Sequence, residues 1–581
     1  MDAGSKQMPK LSVGSTSLFD LSGCARRARA DQLSASWLTV SKGTIMGRYG
    51  LFLRPAPRGC LTLYLLLAAV TTMPAESGPI VAVSGGRIQG ARLPGGGAIF
   101  KGIPYAQPPV GPLRWREPWP VKSWPDLRAA LSFGPACAQT PQLLPEVAST
   151  SKEDCLYLNV WTPAWPGGSR KPVMVWIPGG GNFAGGASRP IHDSDSLARY
   201  GLVLVTLNYR LGVFGFFSHH QLTRESAHHA SGNQGILDQI AALKWVRDNI
   251  SKFGGDPRNV TIFGESAGSL DVSVLMTSPL SKGLFRRAIG ESGAVILAGD
   301  PLTLVQAEQR GESQAARWRL PAAPSLSDMR AITAVDILNV EPNYLEALPP
   351  NGGITVDGYV FPTAPAKVFA AGQEHRVALL LGNNSLERLP GSFLPTDLKQ
   401  AITEEYGPLA ERALPLYATA TNDPDYGTPT QQWGTDTSFR CAAVEQLLWH
   451  AAAGNPTYEY EFVRVPSGRE LVGAVHASDL PYVFGTLDKG VPYPLPPPVP
   501  PTVIGEVDWQ VSKVMQQYWT NFAKTGNPNG AGLLDWPRFD ASSRAYIQFT
   551  AAGPVLKAAL RRPYCDVFID NVSRLMSTGG K

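Results

Sequence analysis

Apolar residues in the middle of the chain gather into short unbroken runs. Residues 173–177 and 202–207 are two such runs, and 260–263, 377–381 and 458–462 read as further strands. A run without polar alternation reads as a strand covered on both faces. Between the runs the period changes. Ile236, Ile240, Leu243, Val246, Ile250 and Phe253 share one face of a helix predicted over residues 234–253, which Gly254-Gly255-Asp256-Pro257 ends. Ala267–Leu275, residues 442–453 and residues 507–522 read as further helices. Alternating strands and helices predict an α/β fold, a mostly parallel central sheet with helices on both faces.

Other segments are punctuated differently. Ile80–Val83 and Gly86–Gln89 flank a Ser-Gly-Gly turn and read as a hairpin. Lys101-Gly-Ile-Pro-Tyr-Ala-Gln-Pro-Pro is too rich in proline to be expected as regular structure. The proline-rich residues 492–501 read as an extended surface loop, not a domain boundary, because a helical pattern resumes soon after. No internal repeat and no linker are evident, so residues 76–581 read as one domain with long insertions.

Composition changes this picture at the N-terminus. The formal net charge of the 581 residues is +5, but residues 1–75 carry nine Lys/Arg against three Asp/Glu, and the remainder 43 against 44. The basic character belongs to the leader, which removes the basis for a nucleic-acid-binding domain. Arg54 and Arg58 precede an apolar stretch from Leu61 to Val70, with small and polar residues up to Ala75. That order is the one a secretory signal uses. The stretch is about half of the ~20 residues that span a bilayer, so no stable membrane anchor is expected. Met46 is a plausible true start, making 46–75 the signal peptide and 1–45 a leader extension or misassigned start. The expected location is secreted or periplasmic. Outside the leader lie four cysteines, Cys137, Cys155, Cys441 and Cys565, an even number that in an exported chain reads as two disulfides. Three pairings are possible, and these residues alone do not choose among them.

The chemistry centres on Gly264-Glu265-Ser266-Ala267-Gly268. This G-x-S-x-G lies between a buried strand and a helix, the setting of a nucleophile elbow, in which glycines permit a tight turn that lifts the serine hydroxyl. A serine needs a base, and in this fold the acid and the histidine follow the serine in the chain. His192, His219, His220, His228 and His229 all precede Ser266. His375 sits before a strand, at the wrong end for a site on strand C-termini, and His450 falls in an apparent helix. His476, in a loop after the strand at 458–462, is the expected base. After the strand at 377–381, Gly382-Asn-Asn-Ser-Leu-Glu387 carries one acid. Glu387 there reads equally as the third catalytic group or as a solvated loop glutamate. Gly179-Gly180-Gly181 ends the run 173–177 and can offer unobstructed N–H groups to an oxyanion. Gly180, Gly181 and Ala267 are the expected donors.

Taken together these segments resemble the type-B carboxylesterase/cholinesterase family, over about residues 78 to 568. The resemblance rests on Asn233-Gln-Gly-Ile-Leu-Asp-Gln, Ala242-Leu-Lys-Trp-Val-Arg-Asp-Asn-Ile, Phe253-Gly-Gly-Asp-Pro and Phe263-Gly-Glu-Ser-Ala-Gly. Glu153-Asp-Cys-Leu-Tyr-Leu-Asn and Ser278-Pro-Leu-Ser-Lys-Gly-Leu-Phe add to it. It implies an α/β-hydrolase fold, a Ser266-Glu387-His476 triad and hydrolysis of a small-molecule carboxylic ester through an acyl-enzyme, without metal or cofactor. It further implies the pairings Cys137–Cys155 and Cys441–Cys565. Residues 138–154 contain no aromatic side chain. In cholinesterases the corresponding loop supplies a tryptophan for the quaternary ammonium, so the resemblance implies a general carboxylesterase rather than a choline esterase. Some members of the family cleave polycarboxylate esters of fungal toxins, a specialised alternative within the same chemistry. Other members are catalytically silent binding or adhesion proteins, and the nucleophile present here separates this chain from them. Three positions depart from the family pattern: Pro178 where His is common, Asn182 as an apparent insertion, and Arg388 where Gly is usual.

Overall fold

The computed structural model describes residues 78–168, 170–296, 299–341, 350–388, 394–490 and 501–578. The leader, with the signal-peptide reading over 46–75, lies outside the described residues, as do 491–500 of the proline-rich stretch.

An 11-stranded mixed sheet organises the chain. Its strands, in chain order, are β1 (Ala91–Arg92), β2 (Ala98–Pro104), β3 (Tyr157–Thr162), β4 (Lys171–Ile177), β5 (Val203–Leu207) and β6 (Gly255–Glu265). They continue with β7 (Arg287–Glu291), β8 (Ala378–Asn384), β9 (Thr457–Phe462), β10 (Ala545–Thr550) and β11 (Gly553–Ala558). The spatial order is β1-β2-β3-β5-β4-β6-β7-β8-β9-β10-β11. Every pair from β5 to β10 is parallel, and the flanking pairs are antiparallel. The apolar runs occupy the buried centre, where both sheet faces are covered.

Alternation along β4 sorts its side chains between two cores. Val173, Val175 and Ile177 join a core that includes Ile236, Ile240, Leu243 and Val246 of α1 (Gln234–Asn249), Leu270 and Val274 of α2 (Ala267–Leu275), and Val444 and Leu447 of α4 (Cys441–Ala452). Met174 and Trp176 point the other way, into a core with Met515, Trp519 and Phe522 of α5 (Glu506–Thr525). Between β8 and α4 lies α3 (Pro429–Thr435). Helices thus cover both faces, as the alternating pattern predicts. At these fully buried positions a Leu→Ala change costs about 2–5 kcal/mol.

Two elements differ from the sequence reading. Lys101–Pro104 belongs to strand β2, while residues 105–109 form no regular element, as expected. A bulge lies between Phe100 and Ile103, where Gly102 takes φ 69° and its N–H turns to Asn159 Oδ1 at 2.9 Å. Pro104 closes the strand, where a missing ladder donor costs little. Helix α1 stops at Asn249, and a 3₁₀ turn, Ile250–Phe253, followed by left-handed Gly254 completes the predicted apolar face. The hairpin Ile80–Val83 with Gly86–Gln89 forms as expected. Both disulfides pair as the resemblance implies, Cys137 with Cys155 and Cys441 with Cys565. Among the described residues no helix is long and apolar enough to cross a membrane.

Candidate active site

Strand β6 delivers Ser266 to the carboxyl edge of the sheet, and α2 begins at the next residue. Between them the chain turns so sharply that Ser266 adopts φ 58°, ψ −124°. A non-glycine residue there is strained, and the surrounding fold must hold it. Both glycines of the motif are required by close approach. A Cβ at Gly264 would lie 2.5 Å from the Gly268 carbonyl oxygen, and one at Gly268 would lie 2.1 Å from that of Ile177. The Ser266 N–H donates to the Glu291 carbonyl at 2.8 Å, anchoring the turn to β7.

Three sequence-predicted residues meet here. His476 Nε2 lies 2.8 Å from Ser266 Oγ, and His476 Nδ1 lies 2.6 Å from Glu387 Oε2. When the ring is neutral, a carboxylate facing Nδ1 keeps the proton there and leaves Nε2 to accept from the serine hydroxyl. Glu387 is buried rather than a solvated loop residue. Its Oε1 accepts from Ser292 Oγ and from the Asn384 N–H, each at 2.6 Å. The His476 side chain retains 22% exposure, whereas that of Glu387 has none. The other late histidines are kept away. His450 is buried between Glu374 and the Val377 carbonyl, and His375 packs on Phe285.

The glycine loop after β4 lies over the nucleophile. A Cβ at Gly179 would come within 3.0 Å of Ser266 Cβ. Gly180 and Gly181 take φ 119° and 65°, and the Gly180 carbonyl accepts from the N–H groups of Phe183 and Ala184. The departures noted in sequence are tied down. Pro178 offers its carbonyl to the Tyr209 hydroxyl at 2.9 Å. Asn182, at φ 62°, accepts from the same hydroxyl and donates to Asp271. Ala267 opens α2 directly after the serine.

Behind the base lies a group of four buried acids, three of them not anticipated: Glu265, which with Glu387 faces the imidazole, and Glu291 and Asp479, which interact with those two carboxyls. Glu265 Oε1 stands 3.2 Å from His476 Nε2, and burial pushes its carboxyl up to about 8. Burial by itself disfavours the imidazolium, but the carboxylates of Glu265 and Glu387 more than offset this and raise His476 to about 9. The two shifts are one coupling, since a proton on His476 favours the charged form of Glu265. Asp479 accepts from the Tyr460 hydroxyl and from Asn384 Nδ2, and burial raises it to about 6. Glu291 accepts from Trp519 Nε1 at 2.7 Å, and burial holds its carboxyl well above the ordinary range. A signal for Glu265 existed, as it is the variable residue of the elbow motif. Nothing local marks the others. Among the described residues no group of three or more His, Cys, Asp or Glu could hold a metal ion.

A serine lifted at a strand-to-helix elbow of a mostly parallel sheet, with an imidazole and a carboxylate behind it, defines the α/β-hydrolase class. Within that class the chain belongs to the carboxylesterase family, whose model matches residues 77–568, and this places it among the carboxylic ester hydrolases. It is 34% identical over 526 residues to the medium-chain fatty acyl-CoA hydrolase precursor of Anas platyrhynchos, covering 82% of this chain and 90% of that one. It is also 34% identical, over 465 residues, to the fumonisin B1 esterase of Sphingopyxis macrogoltabida, covering 76% and 81%. Among solved structures it is similar to a PNB esterase, with TM-score 0.70 and 33% identity over 84% of this chain and 99% of that one. A carboxylesterase of Geobacillus stearothermophilus gives TM-score 0.71 and 32% identity with the same coverage.

Proposed function

We propose that this protein is an exported serine carboxylesterase that cleaves its ester in two steps through an acyl-enzyme. His476 takes the hydroxyl proton as Ser266 Oγ attacks the ester carbonyl carbon. Glu387 holds the ring in the required tautomer and stabilises the imidazolium that forms. The N–H groups of Gly180, Gly181 and Ala267 stabilise the oxyanion, where loss of one donor typically costs about 3 kcal/mol of transition-state stabilisation. The imidazolium then gives its proton to the leaving alcohol. Water, activated by the same base, hydrolyses the acyl-enzyme and restores Ser266.

The observation that supports this reading most directly is the placement of the His476 ring between Ser266 Oγ and Glu387 Oε2, at 2.8 and 2.6 Å. Hydrolysis of a p-nitrophenyl ester by the wild type and by Ser266→Ala tests it. Turnover is expected to vanish in the variant, and retained turnover would rule out Ser266 as nucleophile. A wild type inert to every simple ester would favour a silent binding protein instead.

The specialised substrate we propose is an ester of a polycarboxylic acid, a reading supported by the similarity to a relative named fumonisin B1 esterase. Export through the segment 46–75 is supported by the two disulfides, which persist in oxidising compartments. N-terminal sequencing of the protein recovered outside the cytoplasm tests it, with the mature chain expected to begin close after residue 75.

A further inference from the structure

The two halves of the expected oxyanion hole come from different elements. Gly180 and Gly181 follow β4, whereas Ala267 opens α2 directly after Ser266. Glycines carry no side chain to fix their backbone, and donors stabilise an oxyanion best when they are already aimed at it. The loop closes on itself through the bonds of the Phe183 and Ala184 N–H groups to the Gly180 carbonyl. Packing sets its base, since a Cβ at Gly268 would lie 2.1 Å from the Ile177 carbonyl oxygen. A separate contact fixes its far end.

Asn182, the residue after Gly181, is 1% exposed, and Asp271, in the middle of α2, is fully buried. Asn182 Nδ2 donates to Asp271 Oδ1 at 3.1 Å. The rest of Asn182 is committed as well. Its carbonyl accepts from the Gly212 N–H at 2.7 Å, its Oδ1 lies 2.7 Å from the Tyr209 hydroxyl, and Nδ2 also reaches the Gly352 carbonyl at 3.3 Å. Its φ of 62° is one that asparagine tolerates better than most residues. On the far side of the carboxyl, Asp271 Oδ2 accepts from Gln239 Nε2 of α1. Burial raises the Asp271 carboxyl to about 7, while the hydrogen bonds from Asn182 and Gln239 favour its charged form. Bonds to a charged acceptor are the strong ones, so α2 offers the loop a firm anchor.

Building on the serine-esterase reading, we propose that Asn182 and Asp271 are positioning residues for the oxyanion hole, their bond locking the Gly180 and Gly181 N–H groups against the helix that carries the nucleophile and the third donor. Both act through the glycine loop and not on the substrate. Without the lock the ester still binds, but the donors are misaimed in the transition state. The loss therefore falls on kcat, with KM little changed.

Exchanging the two side-chain types tests this. Asn182→Asp sets two carboxyl groups against each other. Asn182→Asp/Asp271→Asn restores an amide-to-carboxylate bond with the roles reversed, and the amide at position 271 still accepts from Gln239. The readouts are hydrolysis of p-nitrophenyl butyrate and inhibition by an alkyl trifluoromethyl ketone. Ser266 Oγ adds to the ketone carbon, the carbonyl π electrons become an oxyanion, and the hydroxyl proton passes to His476. Ketone affinity thus reports the oxyanion hole without turnover. In Asn182→Asp, kcat and ketone affinity are expected to fall together by about 10- to 100-fold, with KM within about twofold. The exchanged pair is expected to recover about tenfold of each. Should the exchanged pair fail to fold, Asp271→Ala, which removes the acceptor without adding a charge, is expected to show the same parallel fall. The lock is overturned if kcat falls without ketone affinity, if neither changes, or if the folded exchanged pair is no better than Asn182→Asp. A wild type that neither cleaves the butyrate nor binds the ketone would instead overturn the esterase reading.

Discussion

Ser292 Oγ donates to Glu387 Oε1 at 2.6 Å, across 95 residues of chain, from a backbone position at φ 54°. The Ser292 N–H donates to the Gly382 carbonyl at 2.8 Å, so this left-handed turn after β7 is pinned to β8, the strand that leads to Glu387. The hydroxyl acts through the carboxylate and so is a positioning group for the triad. Hydrogen bonds to charged groups contribute about 1.5–3 kcal/mol. Ser292→Ala is expected to lower kcat by about tenfold with little change in KM. An unchanged kcat would deny Ser292 this role.

Glu387→Gln keeps the shape of the side chain but offers an amide to Nδ1, favouring the wrong tautomer of His476. By analogy with the corresponding substitution in serine proteases, kcat should fall roughly 10⁴-fold with circular dichroism unchanged. The double variant Ser266→Ala/His476→Ala should be little worse than either single variant, because the two residues act as a unit. Additive losses would mean that they do not work together.

The base functions only when neutral, so activity rises with pH as His476 loses its proton. Burial opposes the imidazolium, yet the carboxylates of Glu265 and Glu387 raise its pKa to about 9, which puts the rise on the alkaline side. Removing a negative neighbour weakens the charged form of the ring and lowers its pKa. Glu265→Gln is therefore expected to move the acid limb of the kcat/KM profile to lower pH. A limb that stays in place or moves upward in this variant would contradict the coupling across the 3.2 Å contact.

The disulfides close loops of different size. Cys441–Cys565 joins residues 124 apart, and Cys137–Cys155 residues 18 apart. By chain entropy alone these contribute about 5 and about 3 kcal/mol. Replacing both cysteines of the first pair by serine should therefore lower the denaturant midpoint more than replacing both of the second. The reverse order, measured in matched urea titrations, would show that native-state contacts dominate.

The elbow could be read directly because its signal is local. Gly264 and Gly268 are required by contacts within the motif and with the adjoining strand, and the buried run before it needs only its own composition. His476 emerged by elimination, and Glu387 could not be separated from a solvated glutamate by its position alone; the family resemblance pointed to it, and its burial and partners came only with the fold. Glu265 stood inside the recognised motif, yet its coupling to His476 depends on a loop far later in the chain. Ser292, Asp479 and the Asn182–Asp271 bond lay beyond a linear reading, since each joins elements that meet only when β4, β7, β8, β9 and α2 assemble. The bulge that brings Lys101–Pro104 into β2 was hidden for the same reason, as its N–H finds a partner on β3.

Patterns along the chain were sufficient for the alternation of strand and helix, the turn that lifts Ser266, and the set of residue types available for catalysis. These follow from sterics and burial among near neighbours. Folding decided which acid faces which edge of the imidazole, how many carboxylates share its surroundings, and how Asn182 is tied to α2. Those outcomes depend on distances between groups far apart in the chain, because charge and hydrogen-bonding energies fall steeply with separation and exposure to water.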